Sequence, residues 1–232
     1  MMRKILAIVV LCLLTSGLKA QKQAIVPKIP KGGKSDEKLV FTVALEKWMD
    51  APSGPEFDLG KSRGVGIYSF KTIQFGDGPM GLRIGYGVTN HAVNSNINWS
   101  KTDTIGSVTS YSFETYPSDL KVKKNKFNTT YLDIPLELRF QSKANEKGKS
   151  FVVAAGFKAG YLVSSRVKYK DEDNKYKEYN LKNLNKLRYG LTGRIGYGHM
   201  TFFGYYALSN LFSKGNGGEI IPVSGGLAFS FL

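Results

Sequence analysis

Very few residues in this chain could do catalytic chemistry. His91 and His199 are the only imidazoles and Cys12 the only thiol in 232 residues. A lipid-modifying site would set a histidine beside a nucleophile, with an acid to orient it. His91 is flanked by Asn90, Asn94 and Ser95, with no activating acid identifiable, and His199 falls in the turn-like "YGH". Metal-ligand spacing, a nucleotide loop and a Gly-x-Ser-x-Gly elbow are all missing. "GRIGYG" (193–198) has the look of a glycine-rich phosphate loop, but the alternation around it reads as strand. The expectation is therefore a non-enzyme, with no catalytic residue, cofactor or metal.

The more informative charges lie in "YLDIPLELRF", residues 131–140. Leu132, Ile134, Leu136, Leu138 and Phe140 share one parity, and Tyr131, Asp133, Pro135, Glu137 and Arg139 the other. Arg83, Lys158 and Arg194 have the same polar parity on other strands. Arg83, Glu137, Arg139 and Arg194 each lie a few residues from a short turn, hence at similar height. They form either an acidic–basic plug or a set of independently solvated side chains in a wet lumen. Pro135 is expected where its missing N–H is tolerated, at a bulge.

The elements that must position these groups alternate in one unusual sense. Leu39–Leu45, Leu82–Val88, Phe151–Val163, Leu187–Tyr197 and Val223–Phe231 each put large apolar residues on one face. Their other face carries Gly, Ser, Arg and Lys. A soluble sandwich would bury the large residues and show water its charges; here the buried side would be too rich in Gly, Arg and Lys. A transmembrane barrel reverses the arrangement, with lipid outside and a polar interior. Two further strands, near 62–75 and 200–211, are apolar at both parities, so their faces stay unassigned. The fold class expected is all-β: an eight-stranded antiparallel transmembrane β-barrel. Links near 49–59, 99–126, 170–185 and 212–218 are long, and those near 76–80, 141–149 and 198–200 are short. That alternation suits extracellular loops and periplasmic turns.

"MMRK", the apolar "ILAIVVLCLLTSGL" and "LKAQ" have the three-part layout of a secretory signal, cleaved near Ala20. Expected domains are a signal peptide (1–20), a periplasmic linker (21–37) rich in Pro, Gly and Lys, and the barrel (38–232). The formal charge of +15 falls to +12 without the signal, at 30 basic against 18 acidic residues. Nucleic acid is an improbable partner for an exported chain; outer-membrane lipid and lipopolysaccharide phosphates are expected instead. Much of the excess sits at 121–126 and 168–186, which read as solvated, flexible loops.

"YLDIPLELRF" resembles the Tyr-Leu-x-Ile-Pro-Leu-x-Leu segment of the PorT-like outer-membrane β-barrel proteins of Bacteroidetes, and the "KAQ" and "GGLAFSFL" ends suit the same group. The match is sharp over 131–140 and rests on strand pattern alone over 38–232. A structural or interaction role is expected, without an open pore, because eight-stranded interiors are filled by side chains; the resemblance itself implies a small, OmpX-like outer-membrane barrel. The alternative it implies is an accessory of a protein secretion system, type IX, with secretion-system proteins as partners. Leu232 follows Phe231 where such barrels usually end on an aromatic, but Phe229 and Phe231 keep the spacing of the C-terminal signal read by the barrel-insertion machinery.

Overall fold

The computed structural model describes residues 39–231, apart from 52, 100–101, 106–107, 112, 118–119 and 215–217. The expected signal peptide and linker lie outside the described residues. The strands are β1 (Leu39–Met49), β2 (Arg63–Gln74), β3 (Met80–Asn94), β4 (Thr102–Ile105), β5 (Val108–Tyr111), β6 (Lys124–Gln141), β7 (Phe151–Lys170), β8 (Lys175–Tyr179), β9 (Leu187–Tyr197), β10 (Met200–Ala207) and β11 (Ile221–Phe231).

Eight of them close into an antiparallel ring in the order β1-β2-β3-β6-β7-β9-β10-β11. The seam joins the first strand to the last, from Leu39↔Phe231 to Met49↔Ile221. Phe41 and Phe231 meet edge-to-face across it, 5.7 Å apart at 86°. No helix among the described residues is long and apolar enough to cross a membrane; strands make the crossing.

The alternation read from the sequence becomes an outside and an inside. Phe41, Val43 and Leu45 on β1, Leu132 to Phe140 on β6, and Leu187 to Tyr197 at odd positions on β9 all face outward and are exposed. From Phe151 to Tyr161 on β7 this belt spans about 25 Å, at ~3.3 Å per residue and a tilt of ~40°. An apolar ring of that height is stable only against hydrocarbon.

The two ambiguous strands now have faces. On β2, Tyr68 and Phe70 point inward and Val65, Ile67 and Ile73 outward; on β10, Phe203 and Tyr205 point inward and Phe202 and Tyr206 outward. Their mixed pattern arises because aromatic rings also occupy the interior.

Two expectations are corrected. Pro135 is not at a bulge. The β3–β6 pairing runs from Ile84↔Leu136 to Gly87↔Asp133 in unbroken register and lapses only beside Pro135 and Ile134. The proline removes a ladder hydrogen bond without shifting the strand. The bulge lies higher, where Thr130 pairs with Ser164 and Tyr131 with Leu162, leaving Val163 as an extra residue on β7. The basic links are not free loops either. The 170–185 link contains β8, paired to β7 from Arg166↔Tyr179 to Lys170↔Lys175, and it buries Leu181 and Leu184. The 99–126 link contains the β4–β5 hairpin.

Charge on the outer wall should be far more damaging than the same change in a loop. Leu136→Arg is expected to lower stability in bilayers by roughly 2–4 kcal/mol if the residue sits near the midplane, read from urea unfolding of vesicle-folded protein. Wild-type stability for this variant would show that the faces of β6 are reversed.

Candidate functional site

The interior is built in rows set by strand register. Asp133 on β6 pairs with Gly160 on β7, which pairs with Arg188 on β9. The glycine leaves space for the two charged chains to meet over it: a Cβ there would collide with Asp133 Oδ1 and come within 2.9 Å of Arg188 Nε. Arg188 Nη2 donates to both Asp133 oxygens at 2.9 and 2.8 Å. Thr89 and Tyr68 donate their hydroxyls to Asp133 Oδ2 at 2.6 and 3.1 Å. Lys158 lies 3.8 Å from the same oxygen and donates to the Tyr68 hydroxyl at 3.2 Å.

Four residues nearer the short turns, Glu137 repeats the arrangement. It pairs with Arg83 on β3 and Gly156 on β7. Arg194 Nη2 reaches its oxygens at 3.2 and 2.9 Å, and Arg83 Nη1 stands 3.7 Å away. Arg139 is buried one step below, its neighbours being Gly81 and Ala154. On the other side of the Asp133 cluster, Glu46 of β1 accepts from Ser224 at 2.8 Å and lies 2.8 Å from His91 Nδ1.

Asp133, Glu137, Arg83, Arg139, Lys158 and Arg194 thus all face the lumen and are buried. All but Arg139 fall into the two carboxylate clusters just described. Reading the sequence missed Arg188, Glu46, Thr89 and the ring residues. The signal for Arg188 was available, since it shares the parity of Arg194 on β9; Glu46 likewise shares the parity of Thr42 and Ala44 on β1. His91 does have an acid beside it, contrary to the sequence expectation, but one brought from a strand far away in the chain.

Among the described residues three carboxylates (Glu46, Asp133, Glu137) face five lumenal cations, counting Arg83, Arg139, Lys158, Arg188 and Arg194. Aromatic faces also cover three of these cations. Arg83 lies 4.1 Å over Phe70, Lys158 4.0 Å over Tyr205, and Arg188 3.8 Å over Tyr131. The inward aromatics that blurred β2 and β10 are therefore platforms for buried charge.

Above this polar layer, toward the long links, the interior turns apolar. Trp48, Trp99, Phe127 and Phe212 form its centre with Ile97, Val167, Leu184, Leu211 and Ile220. Trp48 and Phe127 meet at 5.2 Å and 81°, and Trp99 and Phe127 at 4.8 Å. Bridges Leu184↔Phe212, Ile97↔Thr115 and Phe57↔Ser95 tie the links together over it. Small cavities in the interior include about 20 Å³ beside His91 and Arg188, about 30 Å³ between Phe70 and Lys158, and about 10 Å³ beside Glu46 and Thr89. Each is of a size for a water molecule or two at most. Among the described residues no cluster of His, Cys, Asp and Glu could hold a metal ion.

Phe229 and Phe231 sit on the outer wall of β11 near the short-turn end, Phe229 between Phe41 and Met200.

Breaking one buried partner should cost more than losing both. Asp133→Asn leaves Arg188 and Lys158 underpaired and is expected to lower stability by about 3–5 kcal/mol, read by denaturant unfolding in vesicles. Asp133→Asn with Arg188→Met should recover part of that loss, and Gly160→Ala should be destabilising although it only adds a methyl. Additive losses in the double variant would mean that the two charges do not act as a pair.

A family model described as an outer membrane protein beta-barrel domain matches residues 46–213, well over half of the chain. No curated protein matches it. Among solved structures it is similar to one described as "Asymmetric conductivity of engineered proteins", at 8% identity over 84% of this chain and 99% of that one, with a TM-score of 0.21. Another is a mutant of Rh. blastica porin, at 9% identity over the same shares, again with a TM-score of 0.21. Likeness at that level carries no argument about conduction. The family match agrees with the closed eight-strand ring and its apolar belt: this chain belongs to the outer membrane protein beta-barrel domain family and resides in the outer membrane.

Proposed function

We propose that the protein is a sealed, non-catalytic outer-membrane barrel that acts through the surface it displays beyond the membrane. The observation that carries this reading is closure at two levels. The ion-paired belt around Asp133 and Glu137 fills the lumen, and the aromatic layer around Trp48 and Trp99 covers it. Eight-strand interiors are narrow enough for side chains to fill. The links that carry β4, β5 and β8 face the exterior, the short turns face the periplasm, and Phe229 and Phe231 are what the insertion machinery reads.

The one imidazole in a hydrogen-bonded cluster is poorly set up for catalysis. Arginine can only donate, so His91 Nε2, 2.7 Å from Arg188 Nη1, must accept. Its proton is then on Nδ1, facing Glu46. The lone pair a general base would use is occupied. The nearby hydroxyls of Ser224 and Thr89 donate to Glu46 and Asp133.

In planar bilayers the wild-type protein should show no steady conductance. Glu137→Gln combined with Trp99→Ala, which opens both levels, should conduct more than either single variant, and steady wild-type conductance would overturn the sealed reading. The secretion-accessory reading rests on the resemblance of residues 131–140; loss of secretion-system cargo export in a deletion strain would favour it.

A further inference from the structure

Above the lipid-facing belt, the outer wall of β6, β7 and β8 carries a grid of cations. Lys124 stands opposite Lys170, and Lys170 opposite Lys175. One step down, Lys126 faces Lys168 and Lys168 faces Lys177. Below these, Arg166 lies between Asn128 and Tyr179. These side chains leave on the outward surface, because the alternate residues Asn125, Phe127, Val167 and Tyr169 are buried inward. Tyr176 stacks on Tyr169 from the inner side, at 5.0 Å and 26°. The Val163 bulge is what turns the even residues of β7 outward here, while its odd residues face lipid below.

Among the described residues no carboxylate stands opposite these cations in the strand pairing; Glu172, in the β7–β8 turn, lies 3.7 Å from Lys123. Glu178 shares the parity of Tyr176, on the inner side. Asp171 is held within its turn by the Asn174 amide and the Tyr169 hydroxyl. Like charges directly opposite across strands destabilise a sheet. The charges around it, Lys124 foremost, hold the half-buried Lys168 ammonium below its ordinary pKa. A solvated loop would spread such charges apart; this sheet fixes them in rows.

Height narrows the choice of counter-charge. Leu132, Tyr161 and Leu187 sit side by side at the upper edge of the belt. With Val163 bulged out, Arg166 lies four paired rows above Tyr161, about 10 Å, and Lys168 six rows, about 15 Å, at ~3.3 Å per residue along a tilted strand. Ordinary phospholipid headgroups reach only about 5–8 Å beyond the hydrocarbon. A glycolipid carrying phosphates on a larger sugar headgroup reaches the grid.

We propose that this grid docks the phosphate groups of a phosphorylated glycolipid of the outer leaflet, its rows of lysines matching an anionic surface beside the barrel. The inference rests on the orientation proposed above, with the long links outside.

Labelling of Lys182→Cys, exposed in the same link but off the grid, tests that orientation separately in intact cells; an inaccessible thiol would overturn both readings. For docking, the full exported protein in zwitterionic micelles is titrated with lipopolysaccharide and with the same glycolipid after dephosphorylation. Wild type should bind the phosphorylated form at least about a hundredfold more tightly than the dephosphorylated one, at about fivefold per engaged lysine. The triple variant Lys126→Gln, Lys168→Gln, Lys177→Gln should lose about a hundredfold of that margin. A control triple in the β6–β7 short turn, Lys143→Gln, Lys147→Gln, Lys149→Gln, should keep it. Without glycolipid the grid variant should be at least as heat-stable as wild type, since repulsion is removed. Docking is refuted by undiminished binding in the grid variant, by equal binding of the dephosphorylated glycolipid, by tighter binding of soluble polyphosphate, or by a grid variant less stable than wild type without glycolipid.

Discussion

Everything in this molecule follows from one requirement: in hydrocarbon, each backbone amide must find its partner within the protein. The pairing of β1 with β11 meets it by leaving no strand edge within the belt. Closing the ring at eight strands also fixes its bore. The interior becomes a volume to be filled by side chains, and it must accept polar ones because the outer wall has claimed the large aliphatics.

Filling a narrow bore with charge raises a solvation problem. A buried guanidinium or ammonium is tolerable only when paired and hydrogen-bonded. The solution here is layered. Gly160 sits between Asp133 and Arg188, so that the arginine can reach across it, and Gly156 lies beside Glu137. Rings from Phe70, Tyr131 and Tyr205 also cover three of the five lumenal cations. Beyond that layer the apolar links close over the top, as the core of a soluble protein would. The barrel is thus two folding environments in series, one shaped by lipid outside and one by water above.

That division explains what could be read from the chain. The belt strands were legible because lipid on one side and a packed polar lumen on the other impose strict parity, as in Leu132 to Phe140. β2 and β10 were not, because Tyr68, Phe70, Phe203 and Tyr205 face inward as cation platforms and packing, and nothing local distinguishes an inward ring from an outward one. Of the lumenal cluster, Asp133 and Glu137 were visible by parity, whereas their pairing with Arg188 and Arg194 depends on register between distant strands. The aromatic layer was hidden for another reason. Trp48, Trp99, Phe127 and Phe212 are scattered over separate links and strand ends, and only closure of the ring assembles them.

The extra residue at Val163 has a consequence for how β7 tolerates change in length. Below it, odd positions are the lipid face; above it, even positions are the outward face, and Val167 and Tyr169 are returned to the interior. The strand is written in two reading frames that meet at a single residue. Deleting that residue would join Leu162 to Ser164 in unbroken pairing with Tyr131 and Thr130, leaving Arg166 and Lys168 outward and Val167 inside. A substitution at the same position would merely alter one exposed side chain. The strand's sequence is therefore forgiving, at Val163, both of what the residue is and of whether it is there.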